Sequence, residues 1–377
     1  MKKFIYLFIG LGLSFNICCA NNDYIAYHQK SNKAKVLIAQ SKFECALDIY
    51  IEIFKEYPKH FYKDVHNACV CAIRCEKFSN ANLLASELVL LGYKLEDFQQ
   101  VAFNAFRNTD KWNSFCKTYP KLRKDYESTL NMDLREKYYQ LFLDDQLVAS
   151  RDEGYGNLKN DSSFFALTKH LKEFYESDGI PNYLHNKDTL NIKYFILYRH
   201  YFGMKNNADN KPDIKNKSDL YEKIDALNWK KVLLNELQQG NIDPQFYSDA
   251  IIYNDFSDPY GKTAVKIDFE KEKVMLFMNL KSDEIAVKNE NREAIGLLPL
   301  NESNSDILGI TWYAKYPFRQ IKDSLVLLTS PNPMVKLKVI RKFESKIRDY
   351  YQNTDLNDFF LGDYNQIKEA HFFGLDL

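Results

Sequence analysis

The sequence predicts a mainly α-helical fold: an N-terminal array of helical hairpins, a mostly helical middle domain with one small β-hairpin, and a helical C-terminal segment. Three observations carry this. Apolar residues recur every three to four positions through most of the chain. One apolar pattern, Ala46, Tyr50 and Ile53, returns 35 positions later as Ala81, Ala85 and Leu88. A single stretch, 263–278, alternates with the period of a strand. The 377 residues suffice for two or three domains, and 45% apolar with 15% aromatic residues supplies their cores and excludes global disorder. The expected divisions are 1–20, 21–128, 129–300 and 301–377.

Residues 1–20 read as a signal peptide. Lys2 and Lys3 precede an apolar run from Phe4 to Phe15, too short to span a bilayer stably. Asn16-Ile-Cys-Cys-Ala20 then supplies a processing site that can be read in two ways. With ordinary cleavage after Ala20, the small residues Ala20 and Cys18 occupy the −1 and −3 positions. With lipoprotein processing, Cys18 or Cys19 becomes an acylated N-terminus. Both leave the folded protein outside the cytoplasm, in the periplasm or lipid-anchored in the cell envelope. Lysine far outnumbers arginine, and Asn, Ile, Tyr and Phe abound, a bias that resembles AT-rich bacterial genomes.

Lys and Arg number 51, as do Asp and Glu; removing Lys2 and Lys3 leaves 49 against 51, or −2. Without a basic excess, nothing points to nucleic acid or anionic lipid as partner, and a membrane is reached only through an N-terminal lipid.

From residue 31 to 128 the pattern is of helices joined by short turns. Ala34, Leu37 and Ile38 mark one face; after a turn at Ser41-Lys42, Phe43, Ala46, Ile49, Tyr50 and Ile53 mark the next, which Pro58 stops. The spacing resembles the second helix of a tetratricopeptide repeat, although the consensus Trp, Gly and Tyr of its first helix are missing. A third hairpin is expected from Val101–Phe106 with Trp112, Phe115 and Pro120. Such an array implies a protein or peptide partner on its concave side, or a purely structural role docked against the next domain.

Cys45, Cys69, Cys71, Cys75 and Cys116 are odd in number and bunched, unlike a disulfide scaffold. On a helix Cys71 and Cys75 share a face while Cys69 points elsewhere, and no Cys-x-x-Cys occurs, so even with His66 nearby they read as small buried side chains. No metal or cofactor is expected.

In the middle region helices are expected at Leu134–Val148, 162–176, Leu190–Phe202, 219–239 and 244–253. Gly240 caps the fourth, and Asp243-Pro244 opens the fifth. Asn206–Asn216 reads as a polar loop, and Thr263–Phe269 with Lys273–Met278 as the hairpin. Several pieces together resemble a bacterial family known as domain of unknown function 6624, over roughly 130–300. They are Asp145-Gln146 with Arg151, His200, Gln239–Tyr247, Asn254-Asp255, Tyr260-Gly261 and Asn289–Leu297. The family pattern carries Thr and then Gln after the Tyr-Gly pair, where this chain has Lys262 and Thr263. The resemblance implies candidate positions and no reaction.

Those positions carry usable chemistry. His200 with Asp145 can act as a general base and its orienting partner, the candidate catalytic pair. Gln146, Arg151, Tyr260, Gly261, Asn291 and Arg292 are candidates for holding an anionic or amide-rich ligand, with an arginine forking onto a carboxylate. The competing reading has Asp145–Arg151 and Asn291–Arg292 clamping helix ends and loops, with His200 bonded to backbone. No Walker loop, nucleophile elbow or His-Glu-x-x-His motif occurs, and His170-Leu-Lys-Glu173 reads as a solvated face.

Beyond Asn304, helices are expected at 307–316, 321–328 and 335–351. The last alternates charges around Leu337, Ile340, Phe343 and Ile347 and is expected to pack on the middle domain. Two functions stay open: a binding or scaffold protein of the cell envelope, and a hydrolase or transferase using Asp145, His200 and Arg151.

Overall fold

The two left-handed residues Ser41 (φ 60°) and Glu76 (φ 57°) set the architecture of the first hundred residues. Helix α1 (Tyr24–Ala39) turns into α2 (Phe43–Glu56) at Ser41, and α3 (Tyr62–Arg74) turns into α4 (Phe78–Leu90) at Glu76. At each turn the next amide bonds back to a carbonyl five residues earlier, Lys42 to Leu37 and Lys77 to Ala72, both at 2.8 Å. This is the closure of a helix on a left-handed residue. The 35-residue repeat in the sequence is thus a repeated helical hairpin. Ala46, Tyr50, Ile53, Ala81, Ala85 and Leu88 are all fully buried between its arms.

The computed structural model describes residues 23–99, 101–149, 158–180, 191–210, 219–251, 259–261, 265–268, 273–276 and 282–300. The expected signal peptide with Cys18 and Cys19, Arg151, Asn254-Asp255, Lys262-Thr263 and the C-terminal segment lie outside them.

The third hairpin departs from expectation. Its first arm is broken into 3-10 turns at Leu95–Gln99 and Val101–Phe103 and the four-residue α5 (Asn104–Arg107), followed by α6 (Asp110–Ser128). Phe98, Phe103 and Phe106 are all fully buried. At 100° per residue, one α-helix would fan these three over roughly 140°, so tighter turns aim them at one core. Pro120 does not close the unit but sits inside α6.

In the middle region α7 (Met132–Ala149), α8 (Leu158–Asp178) and α9 (Asn191–Asn210) pack on one another. They are followed by α10 (Leu220–Leu227), α11 (Trp229–Gln238), α12 (Pro244–Ile251) and α13 (Ser282–Ala294). Two expectations are corrected. The helix expected to end at Phe202 continues to Asn210, so Asn206–Asn210 are helical rather than loop; no proline interrupts the run before Pro212. The helix 219–239 is two helices joined at Asn228 (φ 48°), a residue that tolerates the left-handed region. That turn drives Trp229, fully buried, against the rings of Tyr198 and Tyr175 at 5.0 and 5.7 Å. Val265–Asp268 (β1) and Lys273–Leu276 (β2) pair antiparallel, Val265 opposite Leu276. The turn that would make them a hairpin lies outside the described residues, and the fold class rests on the helices alone.

Two hydrophobic cores result, one spanning Tyr24–Phe115 and one spanning Leu134–Leu297, and α1 is the seam between them. Tyr24 lies over Gly240 (φ 69°) just past α11, and a methyl there would sit 2.5 Å from its ring. His28 lies over Gly296 (φ 79°) just past α13, where a methyl would meet its Cβ at 2.8 Å. Around these contacts Asn32 donates to the Gly296 carbonyl (2.9 Å), Gln29 to that of Glu293 (3.1 Å) and Lys59 to that of Gln239 (3.2 Å).

His28 is 5% exposed and packs on the Phe61 ring at 4.6 Å. Burial pushes its pKa down from 6.5 to about 4, against the pull of Asp64 and Asp243 and with a push from Lys35 and Lys63. Between those pH values the unfolded chain takes up a proton that the folded one refuses. The contribution is therefore complete above about pH 6.5 and is lost as the pH falls toward 4, by about 3 kcal/mol in all. Urea midpoints of the wild type and His28→Gln, measured from pH 7.5 to 4, should converge as the pH falls; parallel curves would refute the assignment.

Candidate functional site

Asp145 lies on the inward face of α7 with Leu134, Tyr138, Leu141 and Val148, and is 1% exposed. A carboxylate in that position must be satisfied locally. Its Oδ2 accepts from the neighbouring Gln146 side-chain amide at 2.9 Å and stands 3.1 Å from Nε2 of His200, in the middle of α9. The imidazole stacks on Phe164 of α8, ring centroids 4.2 Å apart and planes 11° from parallel. Three helices thus converge on one acid–imidazole pair. The His200 side chain keeps 14% of its surface, and Gln146 is exposed.

The contact with Asp145 is an ion-pair approach rather than an aligned hydrogen bond, and with the Phe164 stack it fixes where the imidazole sits. The pair can accept a hydrogen bond or a proton from a group that reaches the ring edge, with the Gln146 amide beside it as a directional contact. Its backing is sealed. One turn before Phe164 on α8, the fully buried Asp161 accepts from the Tyr221 hydroxyl at 2.7 Å; burial, and then this carboxylate, raise the Tyr221 pKa.

Tyr260, Gly261, Asn291 and Arg292 form a second group, and its geometry is that of a clamp. Arg292, in the last turn of α13, is 7% exposed; its Nε donates to the Leu298 carbonyl (2.6 Å) and its Nη1 to the Tyr260 carbonyl (2.8 Å). Asn291 donates to the Pro259 carbonyl at 3.1 Å. Asn289 donates to the Leu300 carbonyl at 3.0 Å and accepts from its amide at 2.6 Å. Gly261 takes a left-handed φ of 74°, consistent with a turn. Arg151 lies outside the described residues.

Sequence reasoning missed Glu236. It is 6% exposed and accepts from the Tyr175 hydroxyl (2.9 Å) and the Asn241 amide (2.6 Å); burial and this carboxylate push Tyr175 up to about 12. The signal was available: Trp229, Leu233, Glu236 and Leu237 share one helical face, so the acid sits on an apolar stripe. Two of the five cysteines bury as expected, while Cys75 and Cys116 are half-buried and Cys45 is exposed. Cys69 and Cys71 lose nearly all exposure, which raises the Cys69 thiol and pushes Cys71 up to about 12, and Nδ1 of His66 meets the Tyr93 hydroxyl at 2.9 Å. Among the described residues no three His, Cys, Asp or Glu side chains gather as a metal site would require. No helix among them is long and apolar enough to cross a membrane.

Compared with protein-family models, with curated proteins and with solved structures, the chain matches none.

Proposed function

We propose that the protein is an exported bacterial cell-envelope protein that works by binding. In this reading the helical hairpins are tetratricopeptide-like and present a partner surface. The middle domain, kin to domain of unknown function 6624 and carrying its small hairpin, recognises a small polar ligand or peptide at the edge of His200 with Gln146. The Lys2, Lys3 and apolar leader supports export, by either route of processing. The observation that favours binding over turnover is the seating of His200: pressed flat on Phe164, with Asp145 sealed behind it, the imidazole offers an edge and little room for chemistry. A second reading, a hydrolase or transferase built on Asp145, His200 and Arg151, draws on one fact, the 3.1 Å approach of His200 to a carboxylate that would orient it as a base.

A thermal-shift screen of carboxylates, amides and short peptides tests the proposal. His200→Gln keeps volume and a donor for Asp145, so its melting temperature should stay within about 3 °C of wild type, while the shift produced by a hit disappears. Gln146→Ala should weaken the same hit roughly tenfold, as loss of one directional contact does. Hits untouched by both variants would refute the site. Consumption of a hit by wild type and not by His200→Gln would establish the second reading.

A further inference from the structure

Helix α7 buries one face and leaves another uncovered. Met132, Tyr139 and Leu143, spaced seven and four apart, form a stripe whose members are 62%, 39% and 42% exposed. Beside the stripe lies an open groove of about 560 Å³, where Asp133, Glu136 and Asp144 outnumber Lys137, itself 3.7 Å from Asp178, and where His170 and Phe174 of α8 form the far wall. An apolar stripe with an acidic flank fits a helix of complementary pattern: apolar on one side, basic along its edge.

We infer that this face of α7 is the docking surface for the chain's own segment 335–351. In the sequence that segment places Leu337, Ile340, Phe343 and Ile347 at helical spacing. Around them stand six basic residues (Lys336, Lys338, Arg341, Lys342, Lys346, Arg348) against two acidic ones (Glu344, Asp349). As a helix, its 17 residues (335 to 351) would run roughly 25 Å, close to the length of the 18-residue α7. The connection is long enough: the described chain ends at Leu300, held on α13 by Asn289, and 34 residues separate it from Val335. Extended, they reach roughly 110 Å. A second copy is a poorer occupant, because pairing two α7 faces would bring Asp133, Glu136 and Asp144 against their own kind; an anionic lipid surface is disfavoured for the same reason.

Zero-length carbodiimide coupling of the full chain, mixed from light and heavy isotope preparations, reads this directly. Glu136 and Asp144 should couple to lysines of 335–351 within one molecule. Leu143→Glu should suppress that coupling and raise amide exchange over 335–351 about tenfold or more. Absence of such cross-links in wild type, cross-links found only between light and heavy molecules, or exchange in Leu143→Glu equal to wild type would each overturn the inference.

Discussion

Arg292→Ala is expected to lower stability by about 3 kcal/mol or more, because it strips the Leu298 and Tyr260 carbonyls of a buried cation at once. Each buried acceptor left unmet costs about 1–3 kcal/mol, and hydrogen bonds from a charged donor stand at the upper end. In a domain of this size that amounts to a melting temperature lower by roughly 6 °C or more. Arg292→Lys should recover only part of the loss, since a single ammonium lacks the planar fork that spans two carbonyls. The measurement also separates the two readings of this residue. A ligand-holding arginine would leave the melting temperature unchanged and abolish binding; a clamp does the reverse, and the geometry is that of a clamp.

Gly240→Ala should have an effect of similar size for a different reason. Two costs combine: a left-handed φ of 69°, worth about 1–2 kcal/mol for a residue with a Cβ, and a methyl placed 2.5 Å from the Tyr24 ring. Relieving that overlap must push α1 off the end of α11 and break the Tyr24 hydroxyl's bond from the Lys59 amide (2.9 Å). A total of about 3 kcal/mol is expected, overpacking alone costing about 1–3. Gly179→Ala is the internal control. Gly179 has the same hand (φ 74°) with nothing within 4 Å of an added methyl, so it reports the backbone cost alone. Equal urea midpoints for the two variants would disprove close packing at the seam. In the pair Gly240→Ala with Tyr24→Ala, the double variant should lose less than the sum of the singles, because removing the ring removes the overlap.

Much of the helical architecture was legible before any coordinates. The 35-residue recurrence of Ala46, Tyr50 and Ile53 marked the hairpin repeat because small and apolar side chains at helical spacing must be buried by a neighbour. The Asp243-Pro244 start is realised as written, with the Asp243 carboxylate accepting from the Phe246 amide at 2.6 Å. The errors fall where local pattern is silent. Asn228 looks like any polar helical residue until Trp229 must be swung into a core built from Tyr175 and Tyr198. The interrupted arm at residues 95–107 follows from three phenylalanines sharing one target, which a helical wheel does not foresee.

The candidate site divides the same way. Asp145 and His200, 55 positions apart (200 less 145), were named as partners from residue chemistry, and the folded chain brings them to 3.1 Å. Asn291 and Arg292 were named with them for equally good chemical reasons, yet their donors point to backbone carbonyls. A side chain's type states what it can bond; only its surroundings state what it does bond.

Taken alone, the sequence determined the helical class, the repeat, some helix boundaries such as the Asp243-Pro244 start, and the short menu of residues able to do polar chemistry. These are consequences of backbone preference and apolar spacing within a dozen residues. The tertiary structure alone decided which menu residues meet and which are buried as clamps. It also decided that α1, a stretch with little apolar asymmetry in its pattern, joins two cores through two glycines. Such outcomes depend on distances between segments far apart in the chain, where packing and desolvation, rather than local propensity, select the partner.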